Sequence, residues 1–344
     1  MSEAPATTDW RAQPKVLLHE HLDGGLRPQT LLDLCRARGL QPPADDAGAL
    51  AAWVQANANS GSLGRYLAGF QLTVEAMASL PACERVAFEA AEDALADGCV
   101  LAEFRIAPLL LEPFGLDGEA VVEALLAGLA RSALPCGLTV CAMRHEPPEH
   151  TLRSALLAAR YAGRGVIGFD LAGAELGHPP GEHAAAYAAA RDAGLGLTCH
   201  AGEADVGARV LEAAALGATR IGHGIHIVDD DTNLRRAREL GLHFEVCPSS
   251  NVHTGAAPSL AAHPLRCMLD AGLSVSLSTD NRLMSGVSLS DEWRNAHDKM
   301  GIDTATLLAL NRAAAAASFM PGKVSAALSR PRSPTPTPGS VRGR

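Results

Sequence analysis

Eight short apolar runs restrict the fold of this sequence more than any other feature. They occupy residues 16–21, 100–107, 138–145, 166–171, 196–200, 220–224, 242–246 and 273–278. The runs are continuous rather than alternating in polarity, which is typical of strands buried on both faces. Ala- and Leu-rich segments with helical patterning separate them. This alternation predicts right-handed βαβ units and a parallel sheet.

Eight such units in a chain of 344 residues predict an α/β fold of the closed (β/α)8 TIM barrel type. An open doubly wound sheet is the alternative, but no G-x-G-x-x-G motif follows the first run. Residues 30–80 are too many for one helix, so we expect several helices inserted after the first strand. We predict one barrel domain over 1–328 and a disordered tail over 329–344, which is rich in Pro, Ser and Arg.

Charge and cysteine usage narrow the classes of partner. The chain has 29 Lys and Arg against 38 Asp and Glu, a formal net charge of −9. Nucleic acids and anionic membranes bind basic surfaces, so neither is expected as a partner. We expect no secretory leader, because no basic segment followed by an apolar one opens the sequence, and no transmembrane helix, because no apolar run is long enough. Eight scattered cysteines without a C-x-x-C pair favour a reduced, cytoplasmic protein.

Polar residues gather where the predicted strands end, which is the end at which barrel enzymes place their chemistry. These residues are His19, Glu20, His21, Glu103, Arg105, Arg144, His145, Asp170, His200, Glu203, His223, His226, Asn251, Asp280 and Asn281. A purely structural barrel needs none of them. The set therefore predicts an active site at this end of the barrel.

Three histidines and one aspartate in this set predict a metal site. His19 and His21 alternate on the first strand, so both side chains point to the barrel interior. Alone, such a pair is more often a hydrogen-bonded core pair than a metal site. His200 ends the fifth strand, however, and Asp280 ends the eighth, which neighbours the first when the barrel closes. Three imidazoles and a carboxylate suit zinc, and we expect one Zn²⁺ per chain.

Two further residues are candidates for acid–base chemistry. Glu203 follows His200 closely and becomes a candidate general acid or base beside a metal, although a Glu opening a helix often serves only the helix dipole. His223 ends the sixth strand and is expected to contact a water at the metal. His226 is expected to contact these residues without touching the water itself. Five other histidines are expected to be structural or exposed: His145, His243, His253, His263 and His297.

The motifs at these strand ends resemble those of the adenosine deaminase family of metal-dependent hydrolases. The matching segments read KVLLHEHLDGGLRP, VLAEFRIAP, CAMRH, GFDLAGAE, CHAGE, RIGHGIH, HFEVCPSSN and SLSTDNRLMS. They run from Lys15 to Ser285 in the family's order, and NRAAAAASFMP at 311–321 is also similar. Each motif alone is weak, but the combination is specific.

The resemblance implies a role for each matching residue. Zinc is expected on His19, His21, His200 and Asp280. Glu203 is expected to donate a proton to the purine as a catalytic residue, and His223 to orient or deprotonate the attacking water. The substrate is expected to contact His21, Asp23 at a ribose hydroxyl, the backbone of Gly173 at the purine ring, and Asn281.

Asn281 and the C-terminus depart from the family's pattern. Some members carry an aspartate at the position of Asn281, where it contacts purine N7, and an amide can donate there without first being protonated. An ordered helical segment usually follows the position of NRAAAAASFMP. Here the sequence turns Pro-rich, and we expect that segment to be lost.

The implied reaction is hydrolytic deamination of adenosine and 2′-deoxyadenosine to inosine and deoxyinosine with release of ammonia, a step of purine salvage. The alternatives are deamination of adenine or aminofutalosine, or non-catalytic adenosine binding. Asp23 favours a nucleoside over a free base and would repel a 5′-phosphate. Leu63, Tyr66, Leu67 and Phe70 share one helix face, which is either an ordinary buried face or a lid above the sugar.

Overall fold

Eight parallel strands form the centre of the computed structural model, which describes residues 8–328. Each strand is hydrogen-bonded to the next in the order β1 to β8. Their bounds are β1 Lys15–His21, β2 Cys99–Ile106, β3 Cys136–Met143, β4 Val166–Ala172, β5 Gly196–Ala201, β6 Arg220–His223, β7 His243–Val246 and β8 Ser274–Leu277. The strands are buried nearly throughout. The predicted barrel, with each of its eight strands, is confirmed.

Main-chain hydrogen bonds at the site end bring the first and last strands together. The N–H of His21 donates to the carbonyl of Asp280 at 2.7 Å, and the N–H of Asp280 donates to the carbonyl of His19 at 3.0 Å. Glu20 and Asp280 form a parallel bridge there. The barrel thus closes at the position where the predicted metal ligands of β1 and Asp280 meet.

Helices alternate with the strands and pack around them. Four helices, α1 to α4, precede α5 between β1 and β2, which confirms the predicted insertion. The helices are α1 Pro28–Ala37, α2 Ala47–Ala58, α3 Leu63–Ala68, α4 Phe70–Met77, α5 Leu80–Ala96, α6 Gly118–Ala130, α7 Pro148–Arg160, α8 Ala184–Asp192, α9 Ala208–Ala215, α10 Asp231–Glu239, α11 Pro248–His253, α12 Leu265–Asp270, α13 Arg282–Ser285, α14 Leu289–Met300, α15 Thr304–Ala317 and α16 Pro321–Leu328.

Polar side chains set where several of these helices begin. Asp46 caps α2, Ser79 caps α5 and Asp117 caps α6, each accepting from backbone N–H groups of the first turn. Ser288 and Asp291 form a reciprocal capping box at the start of α14. Each cap satisfies donors that a helix leaves unpaired at its first turn.

The aromatic side chain of Phe319 closes the end of the barrel opposite the site. Phe319 packs over the guanidinium of Arg220, 3.8 Å from the ring centroid. A Cβ at Gly196 would lie 2.3 Å from this ring, and one at Gly168 would lie 3.0 Å from it. Glycines at the starts of β4 and β5 therefore make room for Phe319.

The C-terminal helix corrects one expectation. An ordered segment does follow residues 311–321, because α16 continues to Leu328 and its Val324 packs with Met320, Val16 and Leu101. The predicted disordered tail, 329–344, lies outside the described residues. Within residues 8–328, no helix has the length and hydrophobicity that crossing a bilayer requires.

Candidate metal centre and active site

The predicted ligands meet at the carboxyl ends of the strands. One ligand atom from each of His19, His200, His223 and Asp280 lies within 4.8 Å of the others. His21 belongs to the same cluster, because its Nε2 lies 3.2 Å from His200 Nε2 and 3.5 Å from Asp280 Oδ1. The structure thus brings all four predicted ligands together and adds His223 beside them.

Two buried carboxylates set which nitrogen of His19 and of His200 faces the cluster. His19 Nδ1 lies 2.9 Å from Glu245 Oε2, and His200 Nδ1 lies 3.0 Å from Asp170 Oδ2. An ionised carboxylate can only accept, so each ring donates through Nδ1, and the neutral ring keeps a lone pair on Nε2. Both Nε2 atoms are therefore available as ligands.

Arg105 holds these two carboxylates in their charged form. Its guanidinium donates to Glu245 at 2.6 Å and to Asp170 at 2.8 Å in a fully buried position. Burial alone would raise the pKa of Glu245, but Arg105 and Arg220 beside it hold that pKa well below its usual range. Burial would likewise raise the pKa of Asp170, but His200 and Arg105 beside it hold that pKa well below its usual value.

The donor atoms of the cluster fit a metal ion. His19 Nε2, which carries a lone pair, lies 3.3 Å from Asp280 Oδ1 and makes no hydrogen bond to the described residues. Two electron-pair donors that face each other in a buried site are unfavourable unless a cation lies between them. Imidazole nitrogens and a carboxylate oxygen are ligands that zinc accepts.

Glu203 extends into the same cavity, which has a volume of about 330 Å³. Its side chain is buried, its Oε1 makes no hydrogen bond to the described residues, and its Oε2 lies 3.6 Å from His223 Nε2. Burial, together with the negative charge of Asp280, raises the pKa of Glu203 to about 8. A raised pKa favours the protonated form, which is the form that a proton donor needs.

Glu175 fixes the loop that carries Glu203 and was not predicted from the sequence. Its buried carboxylate accepts hydrogen bonds from four successive backbone N–H groups, those of residues 202–205, with that of Glu203 at 2.9 Å. Such a run of N–H groups around one carboxylate leaves the loop little freedom to move. The motif GFDLAGAE contains Glu175, but its partners lie about 27 residues later.

His223 and Asp280 adopt unusual backbone conformations. Each has a φ of 60°, and they are the non-glycine residues with positive φ among residues 8–328. Positive φ is unfavourable for residues with a Cβ and concentrates at functional sites.

His226 does not support His223 as predicted. Its Nδ1 lies 2.8 Å from the carboxylate of Asp229 near the surface, so that prediction is wrong. Its strand had ended, and the following 3₁₀ turn, Ile225–Asp229, carries it away.

The residues expected to contact substrate line the same cavity. Asp23 is buried with one unpartnered oxygen among the described residues, and burial raises its pKa to about 7. Asn281 packs against Gly24, where a Cβ would lie 1.8 Å from its Oδ1. The cavity is also lined by Gly173 and by the helix face of Leu63, Tyr66, Leu67 and Phe70, which favours the lid over an ordinary buried face.

Comparison with known proteins assigns the chain to a family. The sequence model of adenosine deaminase matches residues 14–330. The chain belongs to the adenosine deaminase family. It is 43% identical over 323 residues to the adenosine deaminase of Mycobacterium ulcerans, covering 88% of this chain and 89% of that protein. It is 42% identical over 343 residues to the adenosine deaminase of Mycobacterium tuberculosis, covering 93% of each.

A solved structure shares the fold. The adenine deaminase of Arthrobacter aurescens superposes with a TM-score of 0.82 at 25% identity, covering 92% of this chain and 97% of that one. The family and the barrel expected from the motifs are thereby confirmed. The chain is accordingly a hydrolytic deaminase that acts on adenosine.

Proposed function

We propose that this chain catalyses the zinc-dependent hydrolysis of adenosine and 2′-deoxyadenosine to inosine and deoxyinosine, releasing ammonia. The observation that carries the proposal is the convergence of three histidines and Asp280 next to the buried Glu203 in one cavity. The proposed residue roles follow from what each side chain can donate or accept there.

His19, His21, His200 and Asp280 are proposed to hold the ion. Zinc bound there would lower the pKa of a water in contact with it to about 7, which supplies a nucleophile at neutral pH. Asp280 is further proposed to accept a hydrogen bond from that water, and His223 to hold the water on the attacking side of the purine. Ser250 Oγ donates to Asp280 Oδ2 at 2.5 Å, so one carboxylate oxygen is already oriented.

Glu203 is proposed to protonate purine N1. Attack at carbon six pushes electron density onto this neighbouring ring nitrogen, and a carboxylic acid placed there can neutralise it. The unpartnered Oε1 of Glu203 and its raised pKa both support this role. The loop clamp by Glu175 supports it further, because general acids act only from an accurately held position.

Recognition of a nucleoside is proposed to rest on Asp23 and His21 at the ribose and on Gly173 and Asn281 at the purine. A free base would leave the buried Asp23 without a partner, which disfavours adenine as the substrate. A non-catalytic binding protein would not need an intact ligand cluster or Glu203, and both are intact here.

A cytoplasmic location and a place in purine salvage belong to the proposal as well. The eight cysteines, all within residues 8–328, are unbonded thiols, and six of them are buried. Free buried thiols are usual in reducing compartments.

Removal of the metal tests the proposal. The chain is treated with a chelator and dialysed, and ammonia release from adenosine is measured before and after one equivalent of Zn²⁺ is restored. We expect activity to disappear with the metal and to return with zinc. Full activity in a preparation shown to be metal-free would contradict the proposed centre.

A further inference from the structure

A chain of hydrogen bonds connects a backbone amide to the rear of His223. The N–H of Leu265 lies 3.0 Å from His263 Nδ1, and His263 Nε2 lies 3.1 Å from Asn251 Oδ1. Asn251 Nδ2 in turn lies 3.0 Å from His223 Nδ1. All three side chains are buried, so water does not compete for these bonds.

The donor and the acceptor of each hydrogen bond in this series follow from the backbone N–H of Leu265. A backbone N–H can only donate, so His263 accepts at Nδ1. Burial lowers the pKa of His263 to about 3, so the ring is neutral and its one proton is on Nε2. That proton is donated to Asn251 Oδ1, which turns the amide NH₂ toward His223. His223 therefore accepts at Nδ1, and its own proton is on Nε2.

We propose that Asn251 and His263 are positioning residues that fix His223 as a hydrogen-bond donor, through Nε2–H, toward the reacting water. This inference rests on the proposed function, in which His223 faces that water. Deprotonating the water, or ligating a metal, would require a bare Nε2. The geometry thus selects orientation over deprotonation as the role of His223, and leaves Asp280 to accept from the water.

The neighbouring histidines show the opposite arrangement. His19 and His200 donate through Nδ1 to Glu245 and Asp170, which leaves their Nε2 atoms bare for a metal. His223 has an amide NH₂ behind it instead of a carboxylate. All three rings lie in one cluster, but the group at Nδ1 differs. It leaves His19 and His200 able to bind a metal through Nε2 and His223 unable to do so.

Nitrogen NMR on the zinc-loaded protein tests the inference directly. The histidine rings are labelled with ¹⁵N, no substrate is added, and the His223 signals are assigned by their loss in His223→Gln. We expect a proton on Nε2 and a bare Nδ1. A bare Nε2 would overturn the inference. Because the resting protein is measured, the result does not depend on which aminopurine is the substrate.

Asn251→Asp tests the consequence for catalysis. Aspartate has the same shape but accepts at both oxygens, so we expect His223 to carry its proton on Nδ1. Loss of the Nε2–H donor should lower kcat by about 10²- to 10³-fold, the usual effect of removing one hydrogen bond to a reacting oxygen. The zinc content should not change.

Asn311→Asp is the matched control. Asn311 also uses both ends of its amide, accepting from Val16 N–H and donating to the carbonyl of Pro14, at 2.9 Å each, outside the cavity. We expect it to retain wild-type kcat. If Asn251→Asp has a bare Nε2 on His223 and also retains wild-type kcat, the positioning role is wrong.

Discussion

At the scale of single residues, the proton donor and the metal ligands should respond differently to substitution. Glu203→Gln keeps the shape of the side chain but removes its exchangeable acid proton. We expect kcat for adenosine to fall by about 10²- to 10⁴-fold, the range of general acid catalysis, with the zinc content unchanged. Steady-state kinetics and metal analysis on the same sample measure both.

Glu212→Gln is the control for this change, since Glu212 pairs with Arg209 on the surface of α9, outside the cavity lining. It should behave as wild type. If Glu203→Gln instead loses its metal, Glu203 is a ligand and the assignment of its role is wrong.

Asn281 is expected to read purine N7 with its amide. Asn281→Ala should weaken transition-state binding of adenosine by about 1–3 kcal/mol, because it leaves N7 without a donor. An adenosine analogue with carbon in place of N7 has no acceptor to lose. Its kcat/KM should therefore respond little to the same substitution. Equal losses for adenosine and for the analogue would show that Asn281 serves only to position Asp280.

The sequence predicted the residues at strand ends better than the residues behind them. His19, His21, His200 and Asp280 could be predicted because alternation along a strand and closure of a barrel fix where they point. Glu175 could not, because its carboxylate acts on N–H groups of another loop. Glu245 could not be predicted for the same reason. Arg105, Asp170 and Asn251 were predicted to lie at the site, but their contacts with other residues were not, and neither was the contact of His263. Of these, His263 was expected to be structural, yet it contacts the partner of His223.

At the scale of elements, the first residues of β4 and β5 must leave room for the Phe319 ring that packs against them. Gly196→Ala would place a Cβ 2.3 Å from the Phe319 ring at the end of the barrel remote from the site. We expect a loss of about 1–3 kcal/mol in the free energy of unfolding, the usual cost of overpacking, with little change in kcat. Denaturant unfolding measures this loss.

Gly181→Ala is the comparison for this substitution. A Cβ there meets nothing within 4 Å, and the residue lies in the 3₁₀ helix Pro180–His183. It should be close to neutral. Equal stability of the two variants would mean that Phe319 does not pack as described.

Element bounds also show what periodicity does and does not determine. The four helices after β1 were predicted only as a group, because residues 30–80 contain several possible breaks. The sequence alone did not show whether the face of Leu63 and Phe70 packs in the core or covers the site. The structure favours the second, because both residues line the cavity. α16 was missed because its Pro-rich continuation dominates the composition of that region.

At the scale of the whole molecule, one buried carboxyl makes stability depend on pH. Glu292 is fully buried on α14, and burial raises its pKa to about 8. Its Oε1 accepts from the N–H of Ser249 at 3.0 Å, while Oε2 makes no hydrogen bond to the described residues. The folded state therefore keeps a proton that the unfolded chain releases near its ordinary pKa of 4.5.

Because the folded state binds the extra proton, this group makes the protein less stable as pH rises from about 5 to 8. Glu292→Gln removes that dependence. We expect the free energy of unfolding of the variant to exceed that of wild type by an amount that grows with pH in this window, by up to about 1.4 kcal/mol per unit. A difference that is constant with pH would show that Glu292 is ionised in the folded protein.

The intact centre is expected to deaminate a purine nucleoside in preference to a free base or a nucleotide. The most direct test is the ratio of kcat/KM for adenosine and adenine, measured by ammonia release with the zinc-loaded chain and extended to 2′-deoxyadenosine, AMP and aminofutalosine. The buried Asp23 predicts that adenosine and 2′-deoxyadenosine are turned over far faster than adenine or AMP. Faster turnover of adenine, or no release of ammonia from adenosine, would contradict the proposed function.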